Sequence, residues 1–333
     1  MLENKPTYRL ALAEEAPRIA QFVADVYCNN YPSDLLANPE RMAALMQKEL
    51  LFCSIALNER GDICGHLAML YEDLAQLTVD SMAATVAESA RANNMMIDLS
   101  GPLLEVCIRR GTIGMHQYAT SVHDISQRKI AENGGCTTGV LLADWPGNLE
   151  VSGFSAGAES KEHCASTPFV AMYFPFLPFP ARQVYLPEAY ASLLATLYEE
   201  LPGERELRFD AGVVRSNQSE YRLTQRPLQG VAILRLRHIG SDFKEYVAEL
   251  SALHSQFNAL YIDIALDSAA ASVVVDYCRV QNWFYGCLLP ERHGTDFLRL
   301  QKTPIKVQRD SVALWQSAES LFEFTVRDQE QLS

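Results

Sequence analysis

At 333 residues and 48% hydrophobic content, the chain is long enough for two domains and a sizeable core. Its net charge of −13 argues against nucleic acid and anionic membrane surfaces as main partners. A phosphate would have to be held by local backbone dipoles and a few Arg or Lys. The eight cysteines form no CxxC pair and mostly sit inside apolar segments, as buried free thiols in a reducing cytosol would. The N-terminal MLENKPTYRLAL lacks a charged-then-apolar signal layout, and no run reaches membrane-span length. A soluble, cytoplasmic protein is expected.

In chain order, residues 8–13 read as a strand. Residues 14–29 read as a helix, with Ile19, Phe22, Val23, Val26 and Tyr27 on one face. A second helix over 37–49 starts near Pro39 and turns Met42, Leu45 and Met46 inward. Residues 51–57 and 63–71 read as a hairpin around Asn58-Glu-Arg-Gly-Asp62.

Residues 87–111 are the stretch on which the rest is organised; they follow the strand-like LTVDSMAATV, and together these read as a strand, a short polar loop, then a helix. Met95, Met96, Leu99, Leu103, Leu104 and Cys107 recur on one face of that helix. Arg109 and Arg110 suit its carbonyl end, and Gly111 its C-cap. A loop that opens such a helix converges backbone N–H groups on one point, where a phosphate can sit. The same pattern also serves as an ordinary strand-loop-helix unit.

Beyond it, residues 113–122 read as a strand. A helix runs from about 123 to 133, capped by Asp124 or Ser126 and stopped at Gly134-Gly135. Residues 137–143 read as a strand and Trp145-Pro146-Gly147 as a turn. Residues 147–165 read as a loop, 168–174 as a strand, the Pro-rich remainder of that run to 180 as an irregular connector, and 185–201 as a helix. The second half reads as strands over 230–237, 259–265, 282–289 and 297–301. Helices over 242–257 and 269–280 alternate with them. Phe243, Tyr246, Val247 and Leu250 turn inward, and one or two helices close residues 302–333.

This order and four motifs resemble the GCN5-related N-acetyltransferase (GNAT) superfamily, and more closely a bacterial group with two such halves in one chain. Arg91-Ala92-Asn93-Asn94-Met95-Met96 stands in the place of the family's R/Q-x-x-G-x-G/A loop. ATSVHDISQRKIAENGG matches a strand-to-helix segment, while Arg182-Gln-Val-Tyr-Leu-Pro187 and WFYGCLLPERHGTDFLRLQ carry the rest. The resemblance covers roughly residues 7–143 and 205–302. It departs at Asn94 and Met96, which replace the loop glycines, at Ile130, which replaces a frequent general-acid Tyr, and at Gly135, which replaces an aromatic.

The resemblance implies an α/β fold with mixed sheets in two tandem GNAT-like domains. An acyl-CoA-binding domain would span 1–146, a connector 147–204 and a degenerate second domain 205–333. It implies transfer of an acyl group, acetyl first, from acyl-CoA to a small amine or amino-acid-like acceptor. Backbone donors about Ala83, Ala84, Thr85 and Val86 would polarise the acyl carbonyl. Arg91, Ala92, Asn93, Asn94, Met95 and Met96 would hold the cofactor's phosphates. Glu72 is the first choice of base, ahead of Asp73, and His123 the second. Ser126 either bonds the cofactor or caps its helix. Tyr71, His116 and Tyr118 would line the acceptor cavity. His66, His163, His238, His254 and His293 show no ligand spacing, so no metal is expected. The lost loop glycines keep two alternatives open: a GNAT-fold binding or regulatory module without acyl-CoA chemistry, and transfer from a carrier-protein thioester. A monomer or a homodimer fits either.

Overall fold

The computed structural model describes residues 6–91, 95–147, 166–210 and 212–332. The fold is mixed α/β and divides into two compact units, residues 1–117 with 148–162, and residues 118–147 with 163–333. The expected boundary at 146 thus differs from the division by compactness, in which the chain first changes unit after Gln117.

In the first unit, β1 (Thr7–Leu10) is followed by α1 (Ala16–Val26), α2 (Pro39–Gln47), β2 (Leu51–Leu57), β3 (Ile63–Leu70), β4 (Thr78–Val86) and α3 (Met95–Arg110). β5 (Gly114–Thr120) begins here. The sheet runs β1-β2-β3-β4-β5, antiparallel except between β4 and β5. α1 buries Ala16, Ile19, Val23 and Val26, a spacing of three and four that keeps them on one stripe against the sheet. Asn38 caps α2 by accepting from the Arg41 N–H, and Pro39 stands where a missing N–H costs nothing.

α3 covers the other face and buries Met95, Leu99, Leu103, Val106 and Cys107. Leu104, expected inward, is 37% exposed. At about 100° per residue it lies roughly half a turn from Met95, whereas Val106 falls beside Met95. α3 comes so close to β3 that a Cβ on Gly65 would stand 2.6 Å from Met95 Sδ. The helix ends as expected: Gly111 has φ +65°, and the Thr112 N–H reaches back to the Cys107 carbonyl at 2.9 Å.

Glu15, between β1 and α1, accepts two bonds from Arg9 (2.6 and 2.9 Å) and one from the Leu12 N–H (2.9 Å). The Arg9 bond, working against burial, lowers its pKa from 4.5 to about 2. That support is complete above pH 4.5 and is lost as the pH falls through about 2. Arg9 is open to water, so the pair is screened, and Glu15→Gln is expected to cost only about 1–2 kcal/mol in urea unfolding at pH 7.

In the second unit, α4 (Ile125–Glu132) is followed by β6 (Cys136–Pro146), β7 (Ser166–Pro175), β8 (Phe179–Tyr185), α5 (Ala191–Glu200), β9 (Gly203–Arg208), β10 (Glu220–Arg226) and β11 (Val231–His238). Then come α6 (Phe243–Ser251), β12 (Ala259–Ala265), α7 (Ala270–Arg279), β13 (Phe284–Arg292), β14 (Thr295–Lys302) and α8 (Gln316–Leu332). The sheet runs β7-β6-β13-β14-β12-β11-β10, with only β11 and β12 parallel; β8 and β9 form a separate parallel pair. Trp145 and Pro146 belong to β6 rather than to a turn. β8 begins within the expected irregular connector, and its Pro180 sits near the strand's start, where a missing donor is tolerated. α6 ends at Ser251, short of the expected 257.

β6 and β13 pair at a single position, Gly139 opposite Cys287. A Cβ on Gly139 would lie 2.1 Å from the Gly286 carbonyl oxygen, so only glycine allows this approach. Around it, the Gln301 amide donates to the Val140 and Tyr285 carbonyls (2.8 Å each) and accepts from the Leu142 N–H (2.9 Å). On α8, Asp328 accepts from Tyr190 Oη (2.7 Å), Arg279 (2.6 Å) and the Tyr285 N–H (2.8 Å), which fastens that helix to the sheet. Deeper still, Asp263 on β12 is fully buried and held bidentately by Arg299 at 2.6 and 2.9 Å. No described helix is long and apolar enough to cross a membrane.

Candidate active site

The pairing of β3 with β4 loses step at one place. Gly65 faces Val86 and His66 faces Thr85, but Ala68 faces Met82, so two steps along β3 span three along β4. The extra residue makes a bulge at Ala83 and Ala84. Ala83 takes φ +52°, a left-handed conformation unusual for a residue with a side chain. Ala83 is buried and Ala84 exposed.

β4 pairs in parallel with β5 only at Thr78, Val79 and Asp80, opposite Gly114, Met115 and His116. From Ser81 to Val86, β3 is the one strand beside it among the described residues of the first unit. A strand edge without a neighbour offers backbone N–H and C=O groups to an incoming chain. The bulge and this edge coincide, in the segment where the resemblance implies acyl-binding donors.

Four side chains gather behind the bulge. His66, on β3 and 0% exposed, donates from Nδ1 to the Ala83 carbonyl at 2.9 Å. Thr85 Oγ1 donates to the same oxygen at 3.1 Å. Tyr31 is hydrogen-bonded to the Ala83 backbone, and Tyr27 to the Thr85 side chain. The two tyrosine rings meet edge to face, 4.7 Å apart. Burial raises both phenol pKa values and lowers that of His66 to about 4, so this cluster is uncharged at neutral pH. Sequence reasoning passed over His66 and counted Tyr27 only as core. Nothing local distinguishes a histidine in an apolar strand, because the role depends on a carbonyl 17 positions away.

Of the residues expected to hold the cofactor, Ala92, Asn93 and Asn94 lie outside the described residues. Arg91 Nε donates to the Val86 carbonyl at 3.3 Å, at the end of β4. Met95 is a core residue, its sulfur packed over Gly65, and Met96 is half-buried.

Two expected site residues stand away from the bulge. β3 ends where antiparallel β4 begins, so Glu72 follows the Leu70–Asp80 pair, six residues past His66. At about 3.3 Å per residue that is roughly 20 Å from the bulge. Its backbone N–H is held by Gln76 Oε1 at 2.7 Å. Tyr71, beside it, lies in the core: its hydroxyl bonds Thr112 Oγ1 at 2.7 Å, and the Arg110 guanidinium lies 4.1 Å over its ring. Neither lines the bulge.

His116 is buried on β5 opposite Asp80. The remaining three belong to the second unit. Tyr118 is half-buried against the cluster of Tyr261, Cys287 and Phe297. His123 precedes α4, and Gln127 Nε2 donates to its carbonyl at 3.4 Å. Ser126 Oγ is buried without a hydrogen-bond partner, and Asp124 stands at the N-cap without a side-chain bond, so neither caps α4 in the expected way. Among the described residues no group of His, Cys, Asp and Glu is gathered as metal ligands.

No family model matches the chain. No curated protein matches it either. Among solved structures it is similar to a GNAT superfamily phosphinothricin acetyltransferase from Sinorhizobium meliloti in complex with acetyl-CoA, at 18% identity over 52% of this chain and 90% of that one, with a TM-score of 0.39. It is also similar to the diaminobutyrate acetyltransferase EctA from Paenibacillus lautus in complex with L-2,4-diaminobutyric acid and coenzyme A (20% identity, 53% and 98% covered, TM-score 0.37). A third is an N-acetyltransferase from Staphylococcus aureus Mu50 (13% identity, 52% and 99% covered, TM-score 0.38).

Proposed function

We propose that the chain transfers an acyl group, acetyl first, from an acyl-CoA to the amine of a small or amino-acid-like acceptor. The observation that carries this reading is the bulge at Ala83 and Ala84 on a strand edge with no neighbour among the described residues of its unit. A pantetheine arm is built from amide units and can lie along such an edge as an added strand does. Its thioester carbonyl then meets backbone N–H groups between Ala83 and Val86. The amine nitrogen attacks the thioester carbon, the carbonyl electrons move to oxygen, and fixed N–H donors stabilise the oxyanion where it forms. Collapse breaks the C–S bond, and the proton that the amine nitrogen sheds passes through water to the departing sulfur. The leaving thiol, with a pKa of about 8.5, departs as thiolate without a strong acid, which suits the presence of Ile130 where the family often has a tyrosine.

In this proposal Arg91 and the loop to Met96 take the cofactor's phosphates. Glu72 stands apart from the bulge and is given no role in it. Calorimetry with acetyl-CoA and with free CoA, followed by thiol release with a panel of small amines, tests it. Saturable heat with both ligands and amine-dependent thiol release are expected. Absence of heat and of a thermal shift with either ligand would overturn the reading and leave a binding module. Release from an acyl-carrier protein but not from CoA would replace the donor.

A further inference from the structure

A left-handed alanine within a strand costs about 1–2 kcal/mol unless something holds it. At Ala83 the hold falls on the carbonyl, which leaves the ladder at the bulge and accepts from His66 Nδ1 (2.9 Å) and Thr85 Oγ1 (3.1 Å). A ring nitrogen that bonds a carbonyl must carry the proton, so His66 is the Nδ1–H tautomer. Its Nε2 is fully buried and bonds nothing, which leaves Nδ1 as the nitrogen that acts. The Ala83 carbonyl and the Ala84 N–H share one planar trans peptide, and in such a unit the two bonds point opposite ways. Fixing the oxygen toward His66 therefore aims the N–H of exposed Ala84 away from it.

We propose that His66 is a positioning residue: its Nδ1–H locks the Ala83–Ala84 peptide so that the Ala84 N–H stands ready as the acyl oxygen's donor. The assignment rests on the acyltransferase reading above. His66 touches no reacting atom; it sets the direction of the group that does.

Three variants separate positioning from packing. His66→Asn keeps a donor near the place of Nδ1, His66→Leu keeps bulk without a donor, and His66→Leu with Ala83→Gly supplies a residue that takes positive φ unaided. His66→Leu is expected to bind free CoA within about two-fold of the parent while kcat falls about 30-fold or more, as loss of a well-aimed oxyanion donor does. His66→Asn should stay within about five-fold of the parent, and the double variant should regain about ten-fold over His66→Leu. Nitrogen-15 NMR of the parent should place the ring proton on Nδ1. An undiminished kcat in His66→Leu, no recovery on adding Ala83→Gly, or a proton on Nε2 would each overturn the assignment while the parent still transfers. A parent that neither binds CoA nor transfers an acyl group ends the acyltransferase reading itself, and with it this role, whatever the tautomer.

Discussion

Asp263→Ala is expected to destabilise the second unit by about 3–5 kcal/mol, a large part of a typical total of about 5–15 kcal/mol. Arg235, Asp263 and Arg299 stand on one rung of β11, β12 and β14. The carboxylate is fully buried; Arg299 grips it with two bonds, and Arg235 Nε lies 3.7 Å from Oδ2. Burial alone would raise the pKa of this acid, yet Arg299 first, then Arg235 and Arg292, bring it below its ordinary value. Removing the acid leaves the Arg299 guanidinium buried without its carboxylate, and that desolvation cost is not returned. The urea midpoint should fall sharply with little change in slope. Asp263→Leu combined with Arg299→Met should recover most of the loss, since an apolar pair of similar volume substitutes well for a buried ion pair. A single variant within 1 kcal/mol of the parent by the same measurement, against the roughly 3–5 kcal/mol expected, would refute the argument.

The second large effect is acid lability of the first unit. Burial lowers the His66 pKa from 6.5 to about 4, although its bond to the Ala83 carbonyl works the other way. Above pH 6.5 both folded and unfolded chains hold the ring neutral, and nothing is lost. Between 6.5 and about 4 the unfolded chain takes up a proton that the folded chain refuses, so stability falls as the pH falls. At about 1.4 kcal/mol per pH unit the loss approaches about 3 kcal/mol, and it levels off once the folded form also protonates. Urea unfolding at pH 7, 6, 5 and 4, compared with His66→Asn, isolates this from carboxylates common to both. Parallel curves would show that the ring titrates normally.

The fold was legible where composition alone decides it. Strands over 51–57 and 259–265 stand as read, because each is a short apolar run, interrupted only by Ser54 or Asp263, between turn residues. β8, β9 and β10 were missed for the opposite reason. GERELR and EYRLTQR carry charged or polar side chains at most positions, and their extended form depends on the partner strand. The bulge segment was reached through a motif, not through periodicity. The distance of Glu72 from the bulge follows from the antiparallel pairing of β3 with β4, which the strand's own residues do not encode. His66 was invisible because its function is set by register between strands, which no local pattern encodes.

The join of β6 to β13 has a mechanical consequence. Elsewhere in that sheet, sliding two strands means rupturing a ladder of bonds at once. Here the strands meet at Gly139 alone, and a single glutamine amide carries three bonds beside it. The Tyr285 hydroxyl adds one more, to the Thr138 carbonyl at 2.6 Å, so along this line the sheet is stitched by side chains where its other strands are zipped by backbone.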